Sequence, residues 1–128
     1  MKILVVKPGC KPVAMEIDGT LKTMQNLVGG YIQAIYPFRE EVALICNEEG
    51  HLLGLPMNRG LRDEKGNLYD IISGTFFICG VSGEDFASLS DEQLQQYAEV
   101  YATPEVFLNL GGHIIILPMQ EETENENV

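Results

Sequence analysis

The feature that most limits how this chain can fold is its punctuation. Apolar runs rich in β-branched and aliphatic residues are each stopped within a few positions by proline, glycine or an acidic turn. Lys2–Lys7 ends at Pro8-Gly9, and Val13–Ile17 ends at Asp18-Gly19, as two strands of an opening hairpin would. Tyr31–Tyr36 and Glu41–Cys46 flank Pro37-Phe38-Arg39-Glu40 and read as a second antiparallel pair. Tyr69–Ile72 and Thr75–Gly80 read as one strand interrupted or bulged at Ser73-Gly74. Residues 47–67 read mostly as loop. Asn47-Glu48-Glu49-Gly50 turns the chain, Pro56 lacks the donor a central strand needs, and Asp63–Asn67 carries a further turn signal.

Two segments break this rhythm with helical spacing. Thr20 stands before Leu21, Met24, Leu27 and Val28, and Gly29-Gly30 supplies the left-handed stop of a helix C-terminus. Glycines after a helix cannot cradle phosphate, which needs the free N–H groups of a helix N-terminus. In Leu89-Ser90-Asp91-Glu92-Gln93-Leu94, Ser90 and Gln93 can cap each other's backbone N–H groups while Leu89 and Leu94 staple the entry. Leu94, Tyr97, Ala98 and Tyr101 then form one stripe until Thr103-Pro104. Glu105–Leu110 reads as a further helical turn, broken by Gly111-Gly112, and His113–Leu117 as an edge strand or interface segment. The expected fold is α+β. Its antiparallel or mixed sheet comes from 2–7, 13–17, 31–36, 41–46 and 69–80, covered by helices 20–29 and 91–102. One domain is expected over 1–118, followed by an acidic disordered tail over 119–128.

At 128 residues the chain is long enough to bury a core without disulfide or metal. Its formal charge is −11, and without the four glutamates of residues 121–128 it is still −7. The eight cations are scattered, whereas direct nucleic-acid binding needs them clustered on one face. No apolar run approaches the roughly 20 residues of a membrane span, so a cytoplasmic protein without membrane contact is expected. Cys10, Cys46 and Cys79 cannot all pair and lack zinc or redox spacing. Cys46 and Cys79 end apolar runs and read as buried small hydrophobes.

The most suggestive polar set is Asn47, Glu48, Asn58 and Arg59, expected on loops 47–62 beside rigid strands. Arg59 offers a planar donor fork suited to carboxylate or phosphate, and the two Asn offer donors and acceptors for a polar ligand edge. The same residues also have a structural reading, with Arg59 paired to Glu48 or Asp63 and each Asn serving a turn. A metal hydrolase would draw on Glu48, Glu49, His51, Asp63 and His113, none in a recognised ligand spacing. A Cys46–His51 nucleophile would sit among carboxylates rather than in the electropositive setting a thiolate needs.

Four stretches carry a resemblance: Leu27-Val28-Gly29-Gly30-Tyr31-Ile32, Cys46-Asn47-Glu48-Glu49-Gly50, Leu55-Pro56-Met57-Asn58-Arg59 and Gly74-Thr75-Phe76-Phe77-Ile78-Cys79-Gly80. In this order, followed by the Leu89–Gln93 helix start, they resemble the bacterial, phage and conjugative-element proteins grouped as domain of unknown function 3846. The resemblance spans roughly residues 2–104 and leaves the segment from Phe107 onward outside it. It implies no reaction, catalytic residue or cofactor, only a setting on mobile genetic elements. Together these readings give an expectation of a non-enzymatic accessory binding module. It would contact a host protein or small polar ligand through loops 47–62, with no cofactor or metal, and a homodimer could form through His113–Leu117. An acidic DNA-mimic inhibitor and a small metal-dependent hydrolase are the alternatives.

Overall fold

The computed structural model describes residues 1–120. Strands β1 (Lys2–Val6) and β2 (Val13–Glu16) form the opening hairpin, and helix α1 (Leu21–Val28) follows. Thr20 caps α1 by accepting from Thr23 N, and Gly29 closes it in the left-handed conformation at φ 78°. β3 (Ile32–Ile35) and β4 (Val42–Asn47) pair antiparallel, as do β5 (Met57–Arg62) and β6 (Leu68–Ser73). β7 (Phe76–Ser82), β8 (Asp85–Ala87), helix α2 (Asp91–Val100) and the hairpin β9 (Glu105–Leu110) and β10 (His113–Pro118) complete the order.

The main sheet runs β2-β1-β7-β4-β3, with β8 on the far part of β7. Its central strands are buried on both faces, so they read as unbroken apolar runs although every pairing is antiparallel. The two-residue period then divides the core. Leu4, Val6, Val42, Leu44, Cys46, Phe76 and Ile78 point to the side covered by Leu89, Tyr97 and Tyr101 around α2 and by Leu61 and Ile72 of the β5–β6 hairpin. Ile3, Val5, Ala43, Ile45, Phe77 and Cys79 point to the side covered by Met24 and Val28 of α1. Among the described residues, two helices and ten strands, packed as one α+β domain, agree with the expected class. Among the described residues no helix is long and apolar enough to cross a membrane.

Three local expectations are corrected. Residues 57–62 are a strand rather than loop. Pro56 bars the segment from the main sheet, but β5 needs only one ladder partner and finds it in β6 across the predicted 63–67 turn, where Asp63 Oδ1 accepts from Lys65 N and Asn67 N. The 69–80 segment is two strands in two sheets. Gly74, at φ 85°, redirects the chain, and a Cβ there would meet Leu55 Cδ1 at 2.7 Å. Residues 105–110 are a strand rather than a helical turn. Gly111 and Gly112 both have positive φ, 63° and 90°, the geometry that a two-residue hairpin requires between Leu110 and its partner His113. Of the expected tail, Met119 N donates to Pro104 O at 2.7 Å, and residues 121–128 lie outside the described residues.

Candidate functional site

Of the four candidate residues, Asn47 and Glu48 line one cleft, Arg59 lines another and Asn58 lines neither; Asn47, Asn58 and Arg59 are buried. Asn47 ends β4; its Nδ2 donates to Val28 O at 3.1 Å and its Oδ1 accepts from Glu49 N at 2.8 Å, fastening α1 and the following turn to the sheet. Glu48 beside it is exposed and is not Arg59's partner. Both line a cleft of about 270 Å³ with His51, Asp70 and Ser73.

Sequence reasoning missed Ser73 here. Its Oγ lies 2.9 Å from His51 Nδ1, a pairing across 22 residues that no local motif marks. A Ser–His pair becomes a nucleophile only when a third group orients the base, and among the described residues no carboxylate bonds His51. Cys46 lines the same cleft, but burial pushes its thiol up to about 11, which removes the thiolate a Cys46–His51 nucleophile would need. The candidate metal ligands Glu48, Glu49, His51, Asp63 and His113 do not converge. Among the described residues no group of three or more His, Cys, Asp or Glu side chains could hold a metal ion.

Asn58 and Arg59, expected on an open loop, stand inside the molecule on β5. Asn58 is fully buried; its Nδ2 bridges Val6 O at 2.9 Å and Gly74 O at 2.8 Å, and its Oδ1 accepts from Arg59 Nη1 at 2.9 Å. Arg59 is 1% exposed. Its Nη1 also donates to Asn58 O at 3.2 Å, and Nη2 donates to Cys10 O at 2.6 Å and Tyr101 O at 3.0 Å. Tyr101 caps the C-terminus of α2, whose last turn has no basic residue of its own, so Arg59 supplies the cation that this negative helix end favours.

These partners are carbonyl oxygens. Among the described residues no carboxylate bonds the Arg59 guanidinium, and its Nε is buried without a hydrogen-bond partner. Burial pulls the guanidinium below its ordinary pKa, with Glu105 the main opposing influence.

Arg59 lines the larger cleft, about 730 Å³, between α2 and the β5–β6 hairpin. Arg39 and Arg62 also line it, against Glu40 and Glu105, so three of the chain's eight cations meet here on a strongly acidic protein. Glu105 Oε1 accepts from Gly60 N and Oε2 from Arg62 Nη2, both at 2.9 Å. Arg39 pairs with Glu64 at the surface. On the α2 side Tyr97 donates to Glu40 Oε1 at 2.6 Å while its ring packs 4.6 Å from Phe38. Tyr69 and Val100 leave apolar surface open along the walls. The arrangement suits a ligand with an acidic group and a flat or apolar body.

No curated protein and no solved structure matches this chain. One family does, over residues 1–102, a span that holds Asn47, Glu48, Asn58, Arg59 and most of both clefts. The chain therefore belongs to the family described as domain of unknown function DUF3846.

Proposed function

We propose that this protein is a non-enzymatic binding module, serving a phage or conjugative element in the cytoplasm, that takes a small acid-bearing ligand in the cleft between α2 and β5. One observation carries the reading: the Arg59 guanidinium lines that cleft fully buried, and among the described residues it has no bonded carboxylate and its Nε has no partner. A buried cation is costly unless an anion or a full set of hydrogen bonds offsets it. A carboxylate or phosphate in the cleft supplies the missing charge, with Arg39 and Arg62 as further donors and Tyr69 beside the ligand body. Binding of this kind needs no activated nucleophile or base.

The test is an amide chemical-shift titration of the full chain with inorganic phosphate, a nucleoside monophosphate and a short dicarboxylate as separate probes. Saturable shifts at Gly60, Arg62 and Tyr101 are expected with at least one probe. Val100→Glu, on the exposed cleft wall, is expected to abolish them without changing the melting temperature. Shifts confined to residues 47–51, or none with any probe, would overturn the reading.

A further inference from the structure

We propose that the outward face of the β9–β10 hairpin binds a second copy of this chain, the two hairpins packing face to face about a two-fold axis. The register pairs Val106 with Leu117, Leu108 with Ile115 and Leu110 with His113, so these residues share one face. The opposite face carries Phe107, Ile114 and Ile116 and is half-buried against the body, where Ile116 Cδ1 comes within 3.1 Å of a Cβ built on Gly60. The hairpin is thus already seated by its inner side. Its outer side is nevertheless apolar and open, with Leu110 56% and Leu117 46% exposed.

Val106, Leu108, Leu110, Ile115 and Leu117 leave on the order of 400 Å² of apolar surface open, within the size range of the largest patch that a monomer ordinarily carries. That is about half of the roughly 800 Å² each partner contributes to a standard interface, and it forms the apolar centre of one. Charge selects the occupant. No Asp, Glu, Lys or Arg occurs from Val106 to Gln120, on a chain of net charge −11, so this face offers a second copy an approach without a charged residue. A two-fold arrangement presents each such face with its own complement. Residues 121–128 are a poor cover, with four glutamates and Val128 as their one hydrophobic side chain.

Sedimentation equilibrium of the full chain tests this. The expected mass at high micromolar concentration is twice the 14.2 kDa of one chain, with the dimer fraction rising as added salt screens the like charges. Leu108→Lys and, separately, Leu117→Thr are expected to return the single-chain mass with unchanged far-UV circular dichroism. Both positions face outward, and the threonine variant keeps a strand-favouring side chain should the lysine disturb the hairpin. Three results would each overturn the proposal: a single-chain mass for the full chain at every salt concentration, a dimer that survives both substitutions, or a dimer that forms only after removal of residues 121–128.

Discussion

Asn58→Ala is expected to destabilise this protein more than its modest change in volume suggests. The carboxamide joins three parts of the structure: Val6 O on β1, Gly74 O at the bend between β6 and β7, and Arg59 Nη1 on β5 itself. Truncation leaves two buried carbonyls short of a donor and one guanidinium nitrogen short of an acceptor. A buried polar group left unsatisfied costs about 1–3 kcal/mol, so three at the lower part of that range cost about 3–5 kcal/mol. For a chain of this length that corresponds to a fall in melting temperature of roughly 10–20 °C. Urea unfolding followed by far-UV circular dichroism measures the loss directly. A loss below about 1 kcal/mol for Asn58→Ala at unchanged denaturant slope would refute the reasoning, since it would equal an ordinary surface substitution.

Three further outcomes follow from the packing. In a thiol-modification assay on the native protein only the exposed Cys10 should react, with Cys46 and Cys79 released on unfolding, because burial pushes their thiols up to about 11 and about 12. Reaction of all three thiols at one rate would contradict this. Hydrogen bonds from Tyr97, then Gln93 and Gln96, hold the Glu40 carboxyl below its ordinary range, so its contribution is present above the unfolded pKa and lost as pH falls through the lower folded one. Glu40→Gln should therefore melt below wild type at neutral pH, and the gap should close as pH falls below about 4, the unperturbed glutamate value. A pH-independent gap would count against it. Gly80→Ala places a Cβ 2.6 Å from Ser88 O, a backbone atom that can yield only if β8 moves, and thermal melts should show a loss of about 1–3 kcal/mol.

What could be read from the sequence was what is decided locally. Ser90 and Gln93 cap each other across three positions, and both halves of that box are present at 3.0 and 3.1 Å. The β1–β2 and β3–β4 pairs likewise follow from adjacent apolar runs and the turns between them. Asn58 and Arg59 stand out in the sequence but read as solvent-facing, because the partners that bury them lie between 16 and 52 positions away, except for the contact within the pair. A polar pair after a proline looks the same on an open loop and on a strand sealed by distant carbonyls. The Gly111-Gly112 dipeptide did carry the signal of the last hairpin; reading 105–110 as a helix extension past Pro104 obscured it. The large cleft could not be read at all, since its walls come from residues 37–40, 59–62 and 96–105 with Tyr69 and Pro118, which meet only in the folded chain.

The stretch matched by the family ends at residue 102, three residues before Glu105, whose carboxylate holds the Gly60 amide and the Arg62 guanidinium of β5. Trimming the chain to its family boundary would therefore not give a smaller copy of the same molecule. It would remove Thr103, Glu105 and Pro118 from the lining of the larger cleft and leave the Gly60 amide of β5 without its acceptor. Here the stretch of kinship is shorter than the packed structure, and any excised fragment should carry the appended hairpin with it.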